Sequence, residues 1–375
     1  MGCITSANFA VLINGTPTNF FSASRGIRQG CPLSPLLFIL VIDGLSLLIS
    51  DARSHGLIRG VKITQSLALS HLLFVDDVIL LGTGTLHEWA AFDVILDTFC
   101  KASGMSISLD KSVFLHDCIP APELLNLSGV VPYKLSPLDL GFKYLGFFLK
   151  PLGYRTKDWY WLIKKFEKKI CLWSHKLLSL GGRLVLIQAV LSSIPVYWMG
   201  LAPLPVSIIQ KLRSIIFTFL WGSHGQSHKY HLASWSALSL PKKYKGWGIK
   251  NLHWFSISLR LKTFWRVLFS DGLWHRVIIS KYLKLSSVTS WIREKNLCTR
   301  GVSVIWRGFI QTLPWMGPHL TWLVGNGNDI LIGSDPVIGN SESFTFPDEL
   351  KSYLEDLGIT SLALAHNILS NAQHY

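Results

Sequence analysis

Two adjacent carboxylates, Asp76 and Asp77, are the residues of this sequence whose type and spacing best suit chemistry. They separate two largely apolar runs, residues 67–74 and 78–82, a pattern that predicts a β-hairpin with the acids at its tip. Carboxylate oxygens are hard ligands that suit Mg²⁺ held together with substrate phosphates. Two such ions can activate an attacking hydroxyl and stabilise a leaving pyrophosphate. Exposed turns also carry acid pairs that bind nothing, so both interpretations stay open on the dipeptide alone.

The flanking segments predict the elements that position these acids. Residues 32–50 are typical of a helix opened by Pro35, and residues 87–103 have apolar side chains at helical spacing. Further strands are predicted at residues 8–14 and 20–24 around a turn at 15–17, and at residues 104–115 and 142–149.

The character of the chain changes near residues 150–153, where Pro and Gly predict a boundary. Helical periodicity then dominates residues 158–178, 183–193, 206–221 and 255–269. The sequence pattern of the last 75 residues predicts short strands and Gly-rich turns.

The composition excludes a disordered chain and shows where positive charge is concentrated. Of 375 residues, 49% are hydrophobic and 15% charged, enough apolar surface to bury a large core. Residues 151–300 hold 24 basic and 4 acidic side chains, and 14 of the 15 Trp lie beyond residue 150. A basic segment rich in aromatic residues suits a polyanion whose bases stack. A Trp-lined core beneath a solvated Lys surface is the alternative.

Cysteine and histidine give little evidence for a metal site. The six Cys are scattered without a CxxC pair, which argues against a disulfide framework or a Cys-based zinc site and favours a reducing compartment. The spacing of His224, His228 and His231 permits a metal site. No acid or Cys lies nearby, so a solvated loop is the preferred interpretation.

Membrane association is a further alternative, since the mean hydropathy is +0.35. Residues 32–49 contain Asp43, and residues 184–209 contain Gln188 and three prolines. Neither segment gives the ~20 uninterrupted apolar residues that a membrane-spanning helix needs, so we expect a buried helix plus a loop in each. The first six residues, MGCITS, fit an acylation pattern, which leaves a lipid-anchored protein as a minor hypothesis.

Several strings around the acid pair resemble the reverse transcriptases of non-LTR (LINE-type) retrotransposons. Residues 25–38 (RGIRQGCPLSPLLF) and 71–77 (HLLFVDD) match that family's central motifs in order and spacing, with Val75 where Ala is usual. Residues 103–107 (SGMSI) and 142–146 (FKYLG) follow in register. Farther on, residues 178–183 (LSLGGR), 219–222 (FLWG) and 241–249 (PKKYKGWGI) look like the plant members.

The resemblance implies a fold and an activity. The fold would be α+β: a partial right-hand polymerase palm, an antiparallel sheet with helices, in residues 1–150. A helical, basic, thumb-like region would follow in residues 151–255, and a helical or mixed region in 256–375. The activity would be RNA-directed DNA polymerase, with Mg²⁺ as cofactor and an RNA template, a DNA primer and dNTP as partners. An intracellular location, plausibly nuclear, is implied, without stable membrane association.

The resemblance also assigns roles to single residues. Asp76 and Asp77 would be the catalytic metal ligands, and Lys111 would lie near the departing pyrophosphate. The nucleotide and template pocket would be lined by Arg28, Gln29, Gly30, Phe74 and Val75. The primer end would be supported by Tyr144, Leu145 and Gly146.

One part of the expected site is missing from this sequence. The family places a further metal-binding Asp well upstream of Gln29, whereas no Asp or Glu precedes Asp43 here. Asp43 lies on a predicted helix, so the geometry does not favour it as a substitute. We therefore expect a truncated domain that is inactive alone. The alternative function is a non-catalytic nucleic-acid-binding remnant.

Overall fold

The computed structural model describes residues 8–22, 26–27, 30–151, 153–174, 178–222, 232–283, 287–293, 301–339 and 342–372. Within these ranges the protein is mixed α+β, which confirms the predicted class. The chain divides into two compact units, residues 1–151 and 152–375.

The first unit carries short strands and three described α-helices. The strands are β1 Asn8–Phe9, β2 Leu12–Ile13, β3 Thr16–Pro17, β4 Phe21–Ser22, β5 Val61–Lys62, β6 Ala68–Leu69, β7 His71–Phe74, β8 Asp77–Leu80, β9 Val113–His116, β10 Lys134–Pro137, β11 Phe142–Tyr144 and β12 Phe147–Leu149. The helices are α1 Ser34–Ser54, α2 Leu86–Ser103 and α3 Ala121–Ser128, with a 3-10 turn at Leu138–Leu140.

The described strands of this unit pair two by two: β1–β4, β2–β3, β5–β6, β7–β8, β9–β10 and β11–β12. All of these pairs are antiparallel except β9–β10, which is parallel. The turn predicted at residues 15–17 was placed wrongly. Asn14 and Gly15 occupy the turn with φ of 49° and 86°, because an Asn-Gly pair suits the two left-handed positions of a type I′ hairpin.

The core of the first unit lies between α1 and α2. Leu45 and Ile49 of α1 and Phe92 of α2 are at most 2% exposed and belong to one apolar cluster. Full burial of each such side chain contributes about 1.5–3 kcal/mol. Helix α2 ends where Gly104 takes a φ of 72° and its N–H donates to the carbonyl of Cys100 at 2.9 Å. Only glycine adopts that conformation without strain.

The prediction of a buried helix at residues 32–49 was wrong in part. Helix α1 buries one side, and only 17% of its most apolar stretch is buried. Leu36, Ile39, Leu40 and Leu47 are exposed. By length and composition α1 is sufficient to cross a membrane, a criterion that core helices of soluble proteins also meet.

A buried carboxylate joins the loops that flank the central hairpins. Glu88, in the first turn of α2, is 2% exposed. It accepts hydrogen bonds from the backbone N–H groups of Arg59 (2.9 Å), Gly60 (2.7 Å) and Thr83 (2.7 Å), and from the Thr83 hydroxyl. Burial by itself would raise the pKa of Glu88, but these donors together hold that pKa below its usual value.

The second unit is mainly helical. Its described α-helices are α4 Tyr160–Ser174, α5 Leu180–Leu186, α6 Val196–Met199, α7 Val206–Trp221, α8 Trp235–Ser239, α9 Leu252–Phe269, α10 Leu273–Tyr282, α11 Val288–Arg293, α12 Val304–Ile310, α13 Leu313–Met316, α14 Asp348–Asp356 and α15 Leu362–Ala372. A π-helical turn, Ile187–Leu191, continues α5, and 3-10 turns lie at Thr156–Trp159, Lys242–Tyr244 and Gly317–His319. The strands β13 Val337–Gly339 and β14 Glu342–Phe344 pair antiparallel.

Aromatic side chains fill the largest described core of this unit. Phe264 of α9 is fully buried, and its ring lies 5.0 Å from Phe309 and 5.7 Å from Trp306 of α12. Trp291 and Trp306 therefore supply core, whereas Trp254 and Trp315 are nearly half exposed, so the tryptophans divide between core and surface. The last 75 residues contain the expected short strands, β13 and β14, but helices α12 to α15 occupy more of this segment than the strands do. The Trp and Phe that pack α12 onto α9 recur at helical spacing.

The Glu88→Gln variant should lower the free energy of unfolding of the first unit by about 2 kcal/mol at pH 7, because a neutral amide satisfies the clustered donors poorly. A depressed carboxyl pKa stabilises the fold above about pH 4.3, and this contribution is lost as the pH falls through the folded-state pKa. The difference between variant and wild type should therefore shrink in acid. Amide hydrogen exchange of α2, followed as a function of pH, measures this difference in stability.

Glu123→Gln is the matched control, since Glu123 is exposed in the first turn of α3. Equal protection of α2 in wild type and Glu88→Gln at pH 7 would contradict this role for the carboxylate.

Candidate functional site

The acid pair lies at the tip of a tight hairpin, as the sequence predicts. Strands β7 and β8 are antiparallel, with His71 opposite Leu80 and Phe74 opposite Asp77. Val75 and Asp76 form the two-residue turn between them. Phe74, Val75, Asp76 and Asp77 are all exposed, so both carboxylates face solvent at one end of the ribbon.

The turn holds Val75 in an unfavourable backbone conformation. Its φ is 53°, because a two-residue hairpin of this kind needs a positive φ at the first turn position, where glycine is usual. A β-branched residue in the left-handed region costs about 1–3 kcal/mol and persists only where the surroundings impose it. The pairing of Phe74 with Asp77 imposes this conformation on Val75, and the conformation in turn fixes the backbone position of Asp76.

The other end of the hairpin is anchored in the core. Leu73, Val78 and Leu80 pack against the buried cluster of α1 and α2. Glu88 binds Thr83, just beyond β8. The tip therefore projects from a rigid base, which is the arrangement that a precise site requires.

A histidine joins this hairpin to α1. His71 Nε2 lies 2.9 Å from the hydroxyl oxygen of Ser46, and its Nδ1 lies 3.0 Å from that of Ser70. Burial, aided by the positive charge of Arg53, lowers the pKa of His71 below its usual value. The neutral ring is therefore the form that the folded hairpin stabilises.

The remaining site residues lie on separate elements. Gly30 is exposed with a φ of 81°, and a Cβ there would meet no atom within 4 Å. Lys111 is exposed in a turn closed by its N–H to the carbonyl of Ser108 at 3.2 Å. Arg28 and Gln29 lie outside the described residues, as do His224, His228 and His231.

The primer-end residues occupy a second hairpin. Tyr144 ends β11, and Leu145 and Gly146 form the turn to β12 with φ of 48° and 78°. In the described part of the chain, this hairpin and the acid hairpin belong to separate two-stranded sheets.

The acid pair fits part of a divalent-metal site. Within the described ranges, no three His, Cys, Asp or Glu side chains converge. Two adjacent exposed carboxylates suit Mg²⁺, which keeps several waters and takes one or two protein carboxylates together with substrate phosphates. The residues present are thus an incomplete ligand set that substrate and a further carboxylate would complete.

Comparison with known proteins gives the family of the first unit. Residues 3–149 match the family described as reverse transcriptase (RNA-dependent DNA polymerase). A putative ribonuclease H protein of Arabidopsis thaliana is 33% identical over 178 residues, 46% of this chain and 28% of that protein. A retrovirus-related Pol polyprotein from the type-1 retrotransposable element R2 of Popillia japonica is 35% identical over 153 residues, 41% of this chain and 23% of that protein.

A similar Pol polyprotein, from the type-2 retrotransposable element R2DM of Drosophila melanogaster, is 25% identical over 272 residues, 66% of this chain and 23% of that protein. The chain spans less than a third of the length of these three relatives. Residues 3–149 therefore belong to the reverse transcriptase family. The similarity to Pol polyproteins of R2 elements supports the narrower assignment to the reverse transcriptases of non-LTR retrotransposons.

Two residues that position the hairpin were missed in the sequence analysis. Glu88 is two residues into a helix, where an acid ordinarily interacts with the helix dipole, and its burial depends on loops distant in sequence. His71 was noted only as part of a motif. The available signal in the sequence is that His71 begins a strand of apolar residues, where a lone polar side chain needs a hydrogen-bond partner on a neighbouring element.

Mildly acidic conditions should loosen the hairpin through His71. Because the pKa of His71 is lower in the folded protein, the unfolded chain binds the proton better, and stability declines as the pH falls below about 6.5. Hydrogen exchange of β7 and β8, corrected for intrinsic rates, should lose protection between pH 7 and 5. The His71→Gln variant should show a smaller pH dependence.

His55→Gln is the control, since His55 is exposed just beyond the end of the same α1 helix. An unchanged pH dependence in His71→Gln would show that another group is responsible.

Proposed function

We propose that the first unit is the palm of an RNA-directed DNA polymerase and that Asp76 and Asp77 hold its catalytic Mg²⁺. The single observation that carries the proposal is the acid pair at the exposed tip of a core-anchored hairpin, inside the segment that matches the reverse transcriptase family. The reaction would be attack of a primer 3′-hydroxyl on a dNTP paired to an RNA template.

Each group of site residues would have its own role in this reaction. Bound Mg²⁺ would neutralise phosphate charge and lower the pKa of the attacking hydroxyl. Asp76 and Asp77 would hold the ions, and Lys111 would offset charge on the departing pyrophosphate. A nucleotide and template pocket would be formed by Arg28, Gln29, Gly30, Phe74 and Val75, and the primer end would be supported by Tyr144, Leu145 and Gly146.

The second unit would supply a thumb-like region in residues 151–255, followed by a C-terminal region in 256–375. Helix α4 supports a nucleic-acid-binding role for the first of these regions, whereas the boundary at residue 255 falls within α9. Phe166 is fully buried on one side of the helix, whereas Lys164, Lys165, Lys168 and Lys169 are exposed. Such a row of cations suits the phosphates of a template–primer duplex.

A third carboxylate has no candidate in the first 42 residues, which contain neither Asp nor Glu. We therefore propose that the 375-residue chain by itself binds template and primer without extending them. A non-catalytic nucleic-acid binder is the second candidate function, and the basic charge of residues 151–300 favours it.

Metal binding at the hairpin tip can be tested without catalysis. Fe²⁺ in place of Mg²⁺, with ascorbate and peroxide, generates radicals that cut the backbone next to a bound ion. We expect cleavage near residues 74–78 in the presence of template–primer and dNTP, competed by Mg²⁺. The Asp76→Asn/Asp77→Asn double variant should lose at least ~90% of the cleavage, because neutral amides are poor ligands for hard cations.

Asp43→Asn is the control, since Asp43 is exposed on α1 and lies outside the proposed site. Cleavage that survives in the double variant would refute the metal site.

Primer extension separates the two candidate functions. We expect the purified chain to bind oligo(dT) annealed to poly(A) and to add no nucleotide with Mg²⁺, because losing one ligand of a shared metal pair costs several orders of magnitude in rate. Binding should be unchanged in the double variant. Extension by wild type that disappears in Asp76→Asn would show an active polymerase and overturn the expected inactivity.

A further inference from the structure

The middle of the chain carries an uninterrupted excess of positive charge. Residues 168–270 contain 14 Lys or Arg and neither Asp nor Glu. Most of these cations in the described ranges are exposed, among them Lys211, Arg213, Lys242 and Lys243. Without carboxylates along the sequence to balance them, these side chains favour a polyanionic partner.

An open cavity lies within this basic stretch. Its volume is about 350 Å³, and it is lined by Leu180, Gly181, Leu184, Lys242, Gly246 and Trp247. We call it the Trp247 cavity. Leucine and indole side chains make most of its wall apolar, and Lys242 supplies a cation on an exposed turn. An apolar wall that includes an indole, with a cation beside it, suits a planar aromatic group that carries phosphate.

The wall that carries Trp247 is rigid. The N–H groups of Trp247 and Ile249 donate to the carbonyl of Leu238, and the Gln188 amide donates to the Trp247 carbonyl at 2.6 Å. A Cβ at Gly246 would lie 2.0 Å from the Leu240 carbonyl oxygen, so glycine is required there. The cavity is therefore preformed, which lowers the entropic cost of binding.

Further groups for binding a strand lie beside the cavity. Tyr244 is 61% exposed, and the Nζ of Lys243 lies 4.8 Å from its ring. Lys245 completes a run of three cations and one aromatic side chain in four residues. Phosphate neutralisation with aromatic stacking is the usual pattern in single-strand recognition.

We propose that the Trp247 cavity binds an unstacked nucleobase of single-stranded nucleic acid, with Lys242 and Lys243 neutralising the flanking phosphates. A duplex keeps its bases stacked and cannot place one there. The site lies outside the segment that matches the reverse transcriptase family, and it requires neither metal nor catalysis. It is therefore independent of the proposed polymerase function.

The test compares two fluorescent 12-nucleotide strands of equal charge, oligo(dT) and an abasic strand of the same length, binding to the full chain. Fluorescence anisotropy gives each Kd. We expect oligo(dT) to bind the wild type about tenfold more tightly than the abasic strand, since one stacked base contributes about that factor.

Gly181→Leu is the variant that isolates the cavity. A Cβ at Gly181 has no neighbour closer than 4.0 Å, and leucine is the better helix former, so the variant should fold. Its side chain should fill the cavity and reduce the preference for oligo(dT) to about threefold or less, the remainder coming from stacking on Tyr244. Gly44→Leu makes the same change in α1, where a Cβ meets nothing within 4 Å, and should keep the wild-type ratio.

Lys242→Ala should weaken the binding of both strands and reduce the salt dependence by about one ion. Lys351→Ala is the control: Lys351 lies in the acidic last segment beside Glu355, and its loss should change neither the affinity for the strands nor the salt dependence. The proposal is overturned if wild type binds abasic and thymine strands equally, or if Gly181→Leu keeps the tenfold preference.

Discussion

The fold of the first unit depends on one buried carboxylate. Glu88 accepts hydrogen bonds from donors on both sides of the hairpins, at residues 59–60 and at Thr83. These backbone groups are otherwise left unsatisfied at the rim of the core, where an unpaired donor costs about 1–3 kcal/mol. Residue 60 must also be glycine because its backbone packs against β6, where a Cβ would lie 2.4 Å from the Leu69 carbonyl oxygen. Helix α2 is thereby fixed to the base of the acid hairpin.

This anchoring explains how the tip tolerates two unfavourable features. Adjacent carboxylates repel each other, and Val75 has a left-handed backbone. Neither feature contributes to folding, so the apolar contacts of Leu73, Val78 and Leu80 must offset both. Local strain sustained by a packed base is typical of functional turns. Divalent cations would relieve the repulsion and so stabilise the folded hairpin as well as serve chemistry.

Sequence patterns predicted the elements that have strong local signals. The acid hairpin, and helix α7 at Val206–Trp221, follow from apolar spacing alone. The parallel pairing of β9 with β10 and the helices of the last segment did not follow, because distant partners decide them. Motif resemblance predicted Asp76 and Asp77, whereas no sequence pattern predicted the role of Glu88, because its burial depends on loops that are distant in sequence.

Positive and negative charges are distributed unevenly along the chain. Residues 1–150 carry 10 basic and 11 acidic side chains, and the exposed acid pair repels phosphate unless cations neutralise it. Residues 168–270, without Asp or Glu, attract phosphate with no metal at all. Under the proposed function, affinity for a strand would therefore reside in the second unit and chemistry at the acid pair. A chain that lost its catalytic ligands would lose synthesis and keep binding, because the two properties depend on different residues.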